Sequence, residues 1–371
     1  MIRRLGFLNG FRAGAALWVL IAHCLIWSGY TGFLPQPKLA VAVFMLLSGY
    51  LMAFNAAARE TAEPLAKPST WLTFYARRFF RLAPLYYVAL LADVLLLPMM
   101  KQGYGALWSH YALQLHADPN HEPSKVAIGA GSFVAHAGFV FGLFPKLVSS
   151  TLLPDWSLSL EAQFYAVFPF LYLAIRRWGS AAALVVAAVC AASLPFRELY
   201  PDPGPLPMQI DYFLAGILVY EAAQRRARFA FPLALLLSVS EIWLYRTPTI
   251  VLPAAVMVMY LLSRGATRWG LAFVEKLLDT AIARGLADIS YGLYLVHGFF
   301  VAAAGVLFSQ AAWFTQLGLA GRVGVMIAFV LPCSIVASVA LHWLVERPGI
   351  ELGRRLLRRR APLAEPLAQL P

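Results

Sequence analysis

The sequence predicts an all-α fold: a polytopic membrane bundle of about ten transmembrane helices, plus one re-entrant or interfacial helix near residues 126–145. Three observations carry this. The 371 residues are 61% hydrophobic and only 13% charged, where a soluble domain would carry about 25% charge. Charge-poor runs long enough to cross a bilayer recur along the whole chain. The basic residues gather in alternate connections between those runs, as positive-inside topology requires.

Candidate spans fall at 8–28, 39–57, 82–100, 156–175, 178–195, 207–222, 229–245, 248–263, 286–308 and 323–344. The first follows MIRRLGFLNGFR directly, without a cleavage pattern, and is expected to remain in the protein. Arg3 and Arg4 set the N-terminus in the cytoplasm. The same side then receives Arg59, Lys67, Arg77, Arg78 and Arg81, later Arg176 and Arg177, then Arg225, Arg226 and Arg228, then Arg264, Arg268, Lys276 and Arg284. Opposite connections hold mostly single basic residues: Lys38, Lys101, Lys125, Lys146, Arg197, Arg246 and Arg322. This alternation works only if 126–145 does not cross, so 101–155 reads as one long outer segment. Both termini then lie in the cytoplasm. Residues 1–349 form one membrane-embedded domain and 350–371 a basic cytoplasmic tail. The net charge of +12 fits topology and lipid-headgroup contact rather than nucleic acid. Cys24, Cys190 and Cys333 all lie in apolar runs, which argues against a disulfide framework or a zinc site. No metal is implied.

Several residues are out of place in such a bundle. In FRAGAALWVLIAH, Arg12 and His23 stand eleven residues apart, or roughly 16 Å along a helix. His23 therefore sits well inside the bilayer, where an ionisable group is costly and points to function, or to a buried contact with a neighbouring helix. In VFMLLSGYLM, Ser48 and Gly49 interrupt bulky residues, either for close helix packing or beside a substrate channel. In YARRFFRLAPLYY, Arg78 and Arg81 share one helix face. They could anchor the helix at headgroups or cradle a phosphate-rich ligand. In DWSLSLEAQFYAVFPFLY, Glu161 is about two turns from the outer surface, level with His23; a His–carboxylate pair is the smallest unit for general-base chemistry. ISYGLYLVHGFF adds Tyr291 and His297. Glu241 and His342 read as structural or interfacial, and the proline of LVERPG as the end of the last helix.

Taken in order, the Arg–ten residues–His pattern, FMLLSGY, RRFFRLAPLYY, DWSLSLEAQFY, ISYGLYLVH and VERP resemble the acyltransferase-3 family of integral membrane acyltransferases, from about residue 5 to 349. The resemblance implies O-acylation, most often O-acetylation, of a cell-surface or exported glycan in the bacterial cytoplasmic membrane, with cytosolic acyl-CoA, chiefly acetyl-CoA, as co-substrate and no bound cofactor. It implies His23 as the essential histidine, Glu161 as its acidic partner, and Arg12, Arg78 and Arg81 as donor-binding residues. Ser48, Trp156, Tyr291 and His297 are candidate substrate contacts. His110, His116, His121 and His136 are not part of the family pattern and are open to an acceptor role or none. Whether His23 would act as a base or carry the acyl group transiently stays open. From another class, a proton-coupled transporter or flippase would also use intramembrane His and Glu, but the chain shows no internal repeat. Acyl-CoA hydrolysis or transfer separates the two.

Overall fold

The computed structural model describes residues 6–32, 36–111, 122–224, 229–244, 250–265 and 270–358. Arg3, Arg4, His116, His121, Arg225, Arg226, Arg228, Arg246, Arg268 and residues 359–371 lie outside the described residues, as does the side chain of Glu241.

The described chain is helical throughout. Its elements are α1 (Phe7–Trp27), α2 (Pro37–Ala58), α3 (Trp71–His110), α4 (Ala130–Ala137), α5 (Trp156–Trp178), α6 (Ser180–Ser193), α7 (Ile210–Ala223), α8 (Ala230–Leu244), α9 (Val251–Gly265), α10 (Ala272–Leu278), α11 (Ala281–Phe308), α12 (Ala312–Thr315), α13 (Leu319–Leu341) and α14 (Arg347–Arg358). Among the described residues, seven helical stretches are long and apolar enough to cross a membrane. Helices α7, α8 and α9 occupy predicted spans but have only 14, 15 and 15 residues. At 1.5 Å per residue each is roughly 21–23 Å long, short of a full hydrocarbon core. The protein is a multi-pass membrane helical bundle.

The bundle is built around two apolar clusters. One joins α2, α5, α7 and α9; the other joins α1, the second half of α3, α11 and α13. The α2–α7 contact needs glycine: a methyl on Gly49 would lie 2.0 Å from the Phe213 carbonyl oxygen, and one on Gly216 would lie 2.0 Å from that of Leu46. The break in FMLLSGY is thus a packing device at Gly49, with Ser48 turned elsewhere. Helices α6 and α13 bury little of themselves. Their outward residues, such as Leu184, Val185 and Val336, are exposed, as suits lipid-facing positions.

Three expectations change. The third span is part of a 40-residue helix that runs through Pro84 and Pro98 rather than starting near Pro84. The last helix does not end at Pro348. It passes through a π turn, His342–Glu346, and continues as α14. Pro348 falls in the first turn of α14, where its missing N–H is tolerated. Gly349 lets α14 lie against Pro84, whose Cγ would be 2.5 Å from an added methyl.

The third change concerns where 126–155 leads, since the segment was expected not to cross. Its helix α4 has eight residues, about 12 Å, so it does not cross. The chain after it packs between α3 and α11. Tyr294 donates to the Pro154 carbonyl, and the Tyr86 hydroxyl donates to Asp155 at 2.8 Å. His136 is fully buried. It stacks on Phe141 with centroids 3.9 Å apart, and its ring nitrogens meet Asp155 and Ser150, each at 3.0 Å. This histidine therefore anchors the segment that leads into α5. Because Pro154 and Asp155 meet Tyr294 and Tyr86, well inside α11 and α3, α5 starts partway along its neighbours rather than level with their ends.

Candidate functional site

One face of α2 organises the site. Val41, Met45, Ser48, Met52 and Asn55 line a cavity of about 1030 Å³ including its open mouth. Their spacing of three or four residues is that of a single helical stripe. The opposite walls come from Arg12 of α1, Arg78, Arg81 and Leu82 of α3, Glu161 and Tyr165 of α5, and Ser290, Tyr291 and Tyr294 of α11. Five helices thus bring together Arg12, Ser48, Arg78, Arg81, Glu161 and Tyr291, which the sequence scatters over 280 residues.

The three arginines are held differently. Arg12 donates to Ser290 Oγ at 3.2 Å. Arg81 pairs with Glu346, which is 2% exposed. The other oxygen of Glu346 meets His342 Nδ1 at 3.0 Å. Arg81 also lies over the Tyr291 ring, 5.5 Å from its centroid. Arg78 makes no side-chain hydrogen bond among the described residues, and its buried Nε has no partner. It rests between Phe74 at 6.0 Å and Tyr165 at 5.7 Å. A guanidinium held by aromatic faces keeps its fork of N–H donors for an anion.

Glu161 and His23 do not form a hydrogen-bonded pair. Glu161 accepts from Ser48 Oγ at 3.1 Å and from the Tyr165 hydroxyl. Tyr165 lies one turn further along the same helix, a contact readable from its i+4 spacing. His23 instead faces His297, with ring centroids 4.8 Å apart. His297 Nδ1 is 3.1 Å from the Leu293 carbonyl and therefore donates to it, leaving Nε2 with a lone pair. That Nε2 is 3.2 Å from His23 Nδ1, which also lies 2.8 Å from the Val19 carbonyl. A single Nδ1–H on His23 serves both acceptors. In the neutral pair this assignment leaves His23 Nε2 as a free lone pair, with the ring direction fixed.

Neither histidine is on the cavity wall. Tyr294 stands between them and the cavity, 6.4 Å from His297 and 6.2 Å from Phe44 between ring centroids. Its hydroxyl is fixed by Ser157 at 2.8 Å and by Pro154. Tyr291 lines the cavity and donates to the Leu82 carbonyl at 2.9 Å. Trp156 packs against the apolar core instead. Among the described residues no group of three or more metal-ligating side chains forms.

The Acyltransferase domain family model matches residues 5–344. The chain is similar to Acyltransferase MdmB of Streptomyces mycarofaciens, 25% identical over 97% of this chain and 94% of that protein. It is similar to the candidate membrane-bound transacylase BcsY of Komagataeibacter xylinus, 27% identical over 94% of this chain and 83% of the relative. Peptidoglycan O-acetyltransferase OatA of Listeria monocytogenes is 26% identical over 55% of this chain and 30% of its own length. No solved structure matches the chain.

Proposed function

The chain belongs to the acyltransferase-3 family and is a membrane acyltransferase, and from that premise we propose that it carries an acyl group, acetyl first of all, from cytosolic acyl-CoA to a hydroxyl of a cell-surface or exported glycan. The observation that carries this reading is the cavity along α2. It has cations at one end and a fixed imidazole pair behind Tyr294 at the other. An acyl-CoA is shaped the same way, with phosphates at one end and a thioester at the end of a long arm. We place Arg12, Arg78 and Arg81 on the cytosolic side, by the distribution of basic residues, and the phosphates against them. The arm follows α2, and the thioester passes Tyr294 to meet His23.

In the reaction, His23 Nε2 takes the proton of the acceptor hydroxyl as its oxygen attacks the thioester carbonyl. The carbon–sulfur bond then breaks, and the leaving sulfur recovers the proton from the imidazolium. His297 holds the His23 ring in the tautomer this needs. Glu161, bonded to Ser48 and Tyr165, faces the arginines and shapes the donor site rather than the base. The glycan acceptor is suggested by the peptidoglycan O-acetyltransferase relative.

The test is transfer by the purified protein. With labelled acetyl-CoA and exported glycan, the proposal expects thiol release that depends on acceptor, with label in an alkali-labile ester. Neither release nor label with any acyl-CoA would overturn it. Label trapped on His23 in a single turnover without acceptor would replace the direct step by an acyl-enzyme.

A further inference from the structure

A second cavity, of about 400 Å³ including its open mouth, adjoins the first at its basic end; both are lined by Met52, Asn55 and Arg78. Its own walls include Arg59, Glu63, Phe74 and Arg77. The charges there do not balance. Glu63 is occupied by both terminal nitrogens of Arg77. Arg59, half-buried just past the end of α2, makes no side-chain hydrogen bond or ion pair among the described residues. Burial first, and then the nearby positive charge of Arg77, lower its pKa; the Glu63 carboxylate works against this, and Arg78 and Arg354 add to the lowering. Arg78 also lacks a hydrogen-bond partner and contributes the buried, unpartnered Nε described above. One carboxylate against three guanidiniums leaves a surplus of two positive charges in a partly desolvated pocket, an arrangement that an anion stabilises.

Arg59 continues the stripe of α2 that lines the main cavity. From Val41 to Arg59 is 18 residues, about 27 Å along the axis. The two cavities therefore form one elongated trough with a separate anion seat at its far end.

We infer that the second cavity seats the 3′-phosphate of the donor's adenosine, held by Arg59 and Arg78 against the pinned Arg77–Glu63 pair. This rests on the acyl-CoA reading and divides the donor's phosphates between two sites. The pyrophosphate lies at Arg12 and Arg81, the lone phosphomonoester at Arg59, and Arg78, which lines both cavities, stands between them. Arg77 is a positioning residue; Glu63 fixes its fork and keeps it from closing the pocket.

The experiment compares acetyl-CoA with 3′-dephospho-acetyl-CoA on purified wild type and Arg59→Gln. For wild type the expected KM is at least tenfold lower for acetyl-CoA, the usual scale of one charge-assisted contact. In Arg59→Gln the ratio of the two KM values should collapse toward one. Equal use of both donors by wild type, or a preserved ratio in the variant, would overturn the subsite. Transfer from neither donor defeats the acyl-CoA reading itself. A binding measurement needs no variant: adenosine 3′,5′-bisphosphate should displace acetyl-CoA at least tenfold more tightly than adenosine 5′-monophosphate, and equal potency counts against the site. Running the kinetics in neutral phosphatidylcholine and in phosphatidylglycerol-rich discs separates the donor phosphate from a lipid headgroup. A preference for the 3′-phosphate that persists in neutral lipid supports the inference. An Arg59 effect seen only as a response to anionic lipid assigns the seat to headgroups and overturns it.

Discussion

Arg78 and Arg81 make equivalent claims in the sequence but not in the structure, and alanine substitutions should separate them. Arg78→Ala removes a guanidinium that rests against the Phe74 and Tyr165 faces. Each such contact is worth about 0.5–1 kcal/mol, so the loss of fold stability should be about 1–2 kcal/mol at most. The same change removes a donor contact of about 1.5–3 kcal/mol, a rise in donor KM of tenfold or more. Arg81→Ala also weakens donor binding, but it orphans Glu346, which is 2% exposed. Breaking a fully buried ion pair costs about 3–5 kcal/mol. The Arg81 side chain is 29% exposed and solvent screens part of the interaction, so about 2–3 kcal/mol is expected. The assay is fluorescence-detected melting in detergent beside donor titration. Arg81→Ala should melt clearly below Arg78→Ala, and adding Glu346→Gln should restore much of the loss. Equal melting of the two single variants, or no rescue, would refute the reasoning.

Other outcomes follow from the same geometry. Gly49→Val should prevent stable folding, because its Cβ would lie 2.0 Å from the Phe213 carbonyl oxygen and backbone cannot yield as a side chain does; recovery of monodisperse protein at wild-type yield would contradict this. His297→Ala should lower kcat with little change in donor KM, since it removes the acceptor that orients His23; a change confined to KM would put His297 in donor binding. Reporters fused after Arg177 and Arg284 should read cytoplasmic and one at Asp202 outer; a cytoplasmic reading at Asp202 would invert the bundle's orientation.

Much of this was legible in the sequence because helix spans and basic loops follow from composition alone. The five-helix gathering of Arg12, Ser48, Arg78, Arg81, Glu161 and Tyr291 was expected only as a set, since no local spacing relates α1 to α5 or α11. The expected hydrogen bond between Glu161 and His23 is absent for a definite reason: the pairing rested on depth counted from the membrane surface, whereas α5 starts partway along α3 and α11, after the segment that His136, Asp155 and Tyr86 hold in place. That anchor is tertiary and leaves no periodic signal. Glu346 was overlooked because its neighbour Pro348 read as a stop, whereas a π turn carries the helix on and turns the carboxylate to Arg81. Arg59 had no local mark beyond its charge; its place at the end of the α2 stripe shows only once the cavities are seen.

The central claim is that His23 Nε2 handles the proton of transfer while the arginines hold the donor. The most direct measurement is acetyl transfer and acetyl-CoA binding by His23→Gln, with monodispersity in detergent as the control. Glutamine keeps hydrogen bonding and approximate size but cannot take a proton near neutral pH. The account predicts a folded protein that binds acetyl-CoA close to wild type and transfers nothing measurable. Substantial transfer by His23→Gln would contradict it and remove His23 from the chemistry.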